Sequence, residues 1–318
     1  MLRYARFGWA VTGMMALVGA SGCEVKNCTT DDGKSGVCAA SLTRFEADDI
    51  DLDPIAYDPG TDVTVHGNYG DIHVVAGTEG EVSVKLEPFN YRGHDEEDAA
   101  RSELANNADY TFEANDSGIY IETERHDSHT GLGADITVYL PPEFDGKLSL
   151  VNSSDGPVNP GDIEAEFVGA ASSLELSTKH LGDCTANGTP SVLYTRASCD
   201  GDVIVNDVSN GGSISAKGLE HGVRLILAEL TDGAGGSVSS EDGDITVRFP
   251  EGATFSVTGA ATEDGKVNAS MLEESCVADR AAPSSASFTC GETPSGDPHF
   301  TVTAGTDGVG PSNIYLSF

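Results

Sequence analysis

Gly161-Asp162-Ile163, Gly182-Asp183-Cys184, Gly201-Asp202-Val203, Gly243-Asp244-Ile245 and Gly265-Lys266-Val267 repeat one three-residue step, and His221-Gly222-Val223 fills the gap between the third and fourth. The third residues fall at 163, 184, 203, 223, 245 and 267, with separations of 21, 19, 20, 22 and 22. A period near 20 belongs to architectures that stack one short unit on the next. In each step glycine allows the positive φ of a corner, aspartate can bond the turn backbone, and the branched residue or cysteine starts a strand with its side chain inward. Alternation follows: Asp244-Ile245-Thr246-Val247-Arg248-Phe249 puts Ile245, Val247 and Phe249 on one face. A strand this short cannot bury a face alone, so successive units must share one core. The expected fold is all-β, a β-solenoid or β-helix-like stack with coils of about 20 residues. A two-sheet β-sandwich is the alternative that alternation alone permits.

A coarser repeat supports this reading. Ala134-Asp-Ile-Thr-Val-Tyr-Leu-Pro141 and Gly243-Asp-Ile-Thr-Val-Arg-Phe-Pro250 align without gaps at an offset of 109, and Asp155-Gly156 and Asp264-Gly265 follow at equal distance. Short alternating runs also mark Val63-Thr64-Val65, Ile72-His73-Val74, Ile119-Tyr120-Ile121, Leu148-Ser149-Leu150 and Leu174-Glu175-Leu176. Two stretches depart from the pattern. Asp95 to Ala105 is acidic at its start and rich in helix formers, which predicts one short inserted helix on the surface. Residues 276–298 are rich in Pro, Ser and Gly and are expected to form a loop.

The chain has 318 residues, 17 Lys+Arg against 52 Asp+Glu, and a formal net charge of −35. That field repels phosphate backbones, so nucleic acid is excluded as an expected partner. Its 38% of hydrophobic residues exceeds what a disordered acidic tail carries. The N-terminus is read separately. Arg3 and Arg6 precede an uncharged run from Phe7 to Ala20 that is short for a bilayer span, and Ala20-Ser21-Gly22-Cys23 follows. This segment resembles the lipobox of bacterial lipoproteins, although Ala20 stands where Leu is usual. The resemblance implies that residues 1–22 are removed and that Cys23 carries lipid as the new N-terminus. Residues 23–43 are then expected to be a polar tether, with residues 44–318 a single domain. An outer-membrane lipoprotein is expected, facing the periplasm or the exterior, with the membrane as partner through the lipid.

Setting Cys23 aside leaves Cys28, Cys38, Cys184, Cys199, Cys276 and Cys290. An exported chain can pair them, and 15 connectivities are open in principle; the sequence-local pairs, 28 with 38, 184 with 199 and 276 with 290, are the expectation. None forms C-x-x-C, so neither redox nor zinc chemistry is indicated.

Candidate chemistry is sparse. His126-Asp127-Ser128-His129, beside Glu122 and Glu124, is the densest group of potential ligands, and the Asp-Gly corners suit calcium only in a general way. Neither supports a metal site, and no cofactor is expected. Arg196, Arg224 and Arg248 are the basic candidates for a carboxylate-and-arginine glycan-cleaving site, with nothing in the sequence to bring them together.

Asn68-Tyr69-Gly70-Asp71-Ile72, Ile136-Thr-Val-Tyr-Leu-Pro141, the serial Gly-Asp-Ile/Val steps and Ile245-Thr-Val-Arg-Phe-Pro250 together resemble the bacterial putative-adhesin family, a domain of unknown function, over residues 44 to 270 and toward 318. The resemblance implies a β-solenoid on the cell surface and brings no catalytic residues. The expected function is a non-enzymatic, membrane-anchored lipoprotein that presents an acidic solenoid for adhesion or envelope interaction. The alternative is a secreted, calcium-dependent protein that binds or cleaves polysaccharide.

Overall fold

The structure, a computed structural model, describes residues 23–29, 35–93, 95–107, 109–123, 131–153, 161–179, 182–188, 195–208, 212–219, 221–230, 235–262, 265–291, 298–305 and 311–318. Among these, the chain forms one sheet of 14 strands and another of 12, with two short helices, α1 (Glu97–Asn107) and α2 (Ser270–Ser275). From Lys147 to Asn268, successive strands alternate between the sheets. Lys147–Asn152, Ser173–Thr178, Thr195–Cys199, Gly212–Leu219 and Gly235–Asp242 belong to the smaller sheet, each parallel to the next. Ile163–Ala165, Cys184–Asn187, Val203–Val208, Val223–Leu227 and Ile245–Arg248 belong to the larger one, parallel in the same manner. The inward residues of both sheets form one apolar cluster.

One rung shows how the repeat becomes a core. Ile136, Ile72, Ile163, Cys184, Val203, Val223, Ile245, Ile314 and Val267 are register partners in that order. Each is at most 3% exposed. Burying one such aliphatic side chain contributes ~1.5–3 kcal/mol, so the eight aliphatic members of the rung are a major source of stability. The two windows offset by 109 residues occupy this rung together, through Ile136 and Ile245.

The periodic reading made Ile245 and Val267 neighbours; the structure separates them. Strand Ile314–Ser317 lies between, pairing with Ile245–Arg248 on one side and Val267–Asn268 on the other. Asn313-Ile314 reproduces the polar-aliphatic step from the far end of the chain. The Asn313 amide N–H donates to Asp244 Oδ1 at 2.6 Å, and the Asn313 side-chain oxygen accepts from the Lys266 N–H at 3.2 Å.

The glycines of the step also have a different reason from the one expected. Among the residues with positive φ, only Gly70 heads a strand of this rung. Gly161, Gly182, Gly222, Gly243 and Gly265 are instead required by contact, because a Cβ at each would overlap a backbone carbonyl of an adjacent coil: Gly70, Gly161, Asp244, His221 and Ser312 respectively. At these five glycines the neighbouring backbone is so close that no side chain fits.

Elsewhere the structure revises three expectations. The inserted helix forms, two residues later than expected, and buries Ala100 and Leu104. A second helix, α2, was not foreseen. Residues 277–290 form an antiparallel hairpin, Val277–Ala282 with Ser285–Cys290, where a loop was expected. The alternation Ser285-Ala286-Ser287-Phe288-Thr289-Cys290, with Ala286, Phe288 and Cys290 buried, supplies a strand face that the local Pro and Ser content obscured. Within the expected tether, Cys23–Thr29 pairs with Ser35–Glu46, whose last residues join the sheet through Phe89–Gly93.

Among the described residues, two disulfides tie these parts. Cys184–Cys199, with Cα atoms 6.2 Å apart, crosses from one sheet to the other inside a single coil, and both cysteines are fully buried. Cys276–Cys290, with Cα atoms 4.4 Å apart, holds the end of α2 to the hairpin. Cys28 and Cys38 lie on the N-terminal hairpin, with side chains outside the described set.

Two predictions follow from this packing. Gly243→Ala is expected to lower unfolding stability by at least ~1–3 kcal/mol, as overpacking does in cores; an unchanged denaturation midpoint would show that the corners are looser than described. The paired change Cys184→Ala/Cys199→Ala opens a loop of 15 residues and is expected to cost about 3 kcal/mol in the same assay.

Candidate functional site

The corner beside this rung carries a continuous polar column. Each aspartate precedes its aliphatic residue, and one carboxylate oxygen accepts the backbone N–H of its counterpart in the next coil. Asp135 Oδ1 accepts from the Asp71 N–H at 2.9 Å, Asp71 Oδ1 from Asp162 at 2.9 Å and Asp162 Oδ1 from Asp183 at 2.8 Å. Asp183 Oδ1 accepts from Asp202 at 2.7 Å, and Asp202 Oδ1 from Gly222 at 2.7 Å. Gly222 has no side chain to continue the series. There Ser240 takes over, accepting from the Gly243 N–H at 2.9 Å and donating to the His221 carbonyl at 2.7 Å.

Strand spacing holds these carboxylates ~4.8 Å apart. Burial, with neighbouring carboxylates adding to it, pushes Asp162 up to about 6. Desolvation raises Asp71 and Asp183 as well, reinforced by Asp135 and Asp202 respectively. Two histidines flank the column: His73 Nδ1 lies 3.5 Å from Glu164, and His221 Nδ1 lies 3.6 Å from Asp202. Asp183, Asp202 and His221 bring ligand-type atoms within 4.8 Å of one another. The sequence pattern did not mark His221, which occupies a glycine position of the step. One oxygen of each of these two aspartates is already committed to a backbone amide, which is a structural role.

The remaining candidates separate clearly. His126, Asp127, Ser128, His129 and Glu124 fall outside the described residues. Glu122 accepts from the Tyr120 hydroxyl at 2.8 Å. Arg196 lies on the smaller sheet, 3.6 Å from Glu175. Arg224 and Arg248 are brought together: both point outward from neighbouring strands of the larger sheet, where Arg224 pairs in register with Thr246 and Arg248 with Ile226. Beside Arg248 a groove of about 880 Å³ runs from Ile226 over Phe249 to Met271 and Phe318, with Asp207, Glu251 and Glu274 also on its walls. These surfaces offer charge, hydroxyls and apolar area for binding. Among the described residues, no nucleophile, base and orienting group converge.

No family model matches the chain, and no curated protein matches it. Two solved structures are similar in part. One is described as a putative cell adhesion protein from Clostridium sporogenes, with 10% identity and a TM-score of 0.32, covering 85% of this chain and 99% of that one. The other is described as a putative adhesin from Bacteroides fragilis, with 12% identity and a TM-score of 0.38, covering 85% and 97%.

The column generates a pH prediction. A carboxyl whose folded pKa lies above its unfolded value binds its proton more tightly in the folded state. Its stabilising contribution is complete below about 3.8 and is lost as pH rises through about 6. Asp162→Asn keeps an oxygen acceptor and removes the charge. The variant is expected to melt higher than wild type at pH 7.5 and to lose the part of the decline in Tm between pH 5 and 7.5 that Asp162 causes. Parallel Tm profiles for the two proteins would contradict the assignment.

Proposed function

We propose that this chain is a non-enzymatic bacterial lipoprotein, anchored in the outer membrane through lipidated Cys23, that presents an acidic β-solenoid for adhesion or envelope interaction. The observation that carries the reading is the alternation of parallel strands between two sheets from Lys147 to Arg248. It repeats one coil and leaves two broad outer faces for contact. The 20-residue step and the family resemblance of residues 44 to 270 point the same way. Two or more acyl chains on Cys23 make a firm anchor, since each buried methylene contributes ~0.8 kcal/mol. Labelling cells with a fatty-acid analogue is expected to mark wild type and leave Cys23→Ala unmarked; equal labelling removes the anchor. Protease treatment of intact cells then reads exposure directly: cleavage of the body supports adhesion, and full protection confines the protein to the periplasm.

A further inference from the structure

We propose that the outer face of the larger sheet around Arg224 and Arg248 binds a linear polysaccharide bearing carboxylates, of the uronic-acid class. This deepens the adhesion reading and rests on it.

The first observation is electrostatic. In a chain with 52 acidic and 17 basic residues, cations are normally neutralised by neighbours. Arg44, Lys85, Arg92, Arg101, Arg196 and Arg280 each sit against a carboxylate. Arg224 and Arg248 are exposed, and no described residue forms an ion pair or hydrogen bond with either side chain. Their immediate neighbours on these rungs are not acids. Arg224 shares its rung with Thr185, Ile204, Thr246, Tyr315 and Asn268, and Arg248 with Ile226 and Ser317. The nearest acid along the Arg224 rung is Glu164, three strands away. That is ~14 Å at sheet spacing; Asp244, two residues before Thr246, is nearer, and its Oδ1 is held by the Asn313 N–H at 2.6 Å.

The second observation is shape. The strands of Arg224 and Arg248 lie inside the sheet, so their backbone groups are spent on the ladder and neither offers an edge to an added peptide strand. Recognition has to use side chains on a flat face. Two arginines whose Cα atoms sit about 8 Å apart, at the diagonal of adjacent strands, suit sparse carboxylates and give each the planar fork that pairs with one. Tyr315, 41% exposed, together with Ile204 and Ile226, gives flat area for sugar rings, while Thr246 and Asn268 meet hydroxyls. Asp207, on the strand next to that of Arg224, and Glu251 and Glu274 line the groove beside Arg248 and bound the anion-binding region there. A densely charged polyphosphate or an anionic bilayer needs many cations and meets the −35 field instead.

The test measures binding of the full-length, detergent-solubilised protein to immobilised polygalacturonate, carboxyl-reduced polygalacturonate, polyglutamate and polyphosphate. Wild type is expected to retain polygalacturonate and to lose it when the carboxyls are reduced. Each of Arg224→Gln and Arg248→Gln is expected to weaken binding on the order of tenfold, the range of a charge-assisted hydrogen bond. Arg196→Gln, on the other sheet, is expected to bind as wild type, and unchanged Tm values show that all variants fold. Absence of polygalacturonate binding, full binding by the double variant, or equal binding to polyglutamate or polyphosphate overturns the proposal. The fatty-acid labelling and protease results stand independently, so failure here leaves the anchoring reading to be judged on its own data.

Discussion

The structure depends on one short-range constraint: adjacent strand connections approach at the corners until backbone meets backbone. A carbonyl of a neighbouring coil occupies the space where a side chain would begin at Gly161, Gly182, Gly243 and Gly265. That approach sets the register. Once the corners touch, the residue two positions after each glycine is fixed opposite its counterpart, and Ile163, Cys184, Val203 and Ile245 fall on a single buried rung. Because the side-chain period of a strand is two, a slip of one residue would turn the whole rung outward. The core follows from the corner.

The aspartates complete that corner, and magnitudes show what they supply. A hydrogen bond from a backbone amide to a carboxylate contributes ~1.5–3 kcal/mol. Two carboxylates about 5 Å apart repel by ~1 kcal/mol in water and ~3 kcal/mol at the effective dielectric of a protein surface. Attraction and repulsion are therefore comparable when every member is ionised, and protonating some members relieves the repulsion without removing an acceptor. Desolvation by burial raises Asp71, Asp162 and Asp183, and this repulsion adds to it. The last links make the point chemically. Asn313 does the same work with a neutral amide oxygen, accepting the Lys266 N–H, and Ser240 bridges the gap at Gly222 with a hydroxyl. The fold needs an oxygen at the corner; it does not need a charge.

Much of this was readable from the sequence because the repeat is local. Glycine, polar residue and inward aliphatic recur within three positions, and the 20-residue period carries the step from coil to coil. The unread parts are non-local. Strand Ile314–Ser317 enters between residues 245 and 267 through contacts spanning 69 residues, such as Asn313 to Asp244, and no period reports such an insertion. The glycine contacts are likewise set by a neighbouring coil, which is why positive φ seemed the sufficient reason. Hairpin 277–290 was legible in the alternation from Ser285 to Cys290 and was outweighed by local composition. The Arg224 and Arg248 pair had a signal too: a separation of 24 is one coil of 22 plus two residues, which places them on adjacent strands and the same face.

The net charge of −35 then resolves into a distribution. Carboxylates collect at the corners, where backbone amides hold them, and on the surface where Lys85, Arg92 and Arg196 answer them. The outward rungs of strands Val223–Leu227, Ile245–Arg248 and Ile314–Ser317 carry two arginines and no acid. An aspartate on those rungs would cost the fold little, since outward strand positions tolerate polar residues and the corner oxygen is supplied elsewhere. Stability therefore does not explain why a chain with three acids for every base keeps this face free of them. The contact proposed above with a carboxylate-bearing partner would account for it, since among the described residues neither guanidinium has a counter-charge.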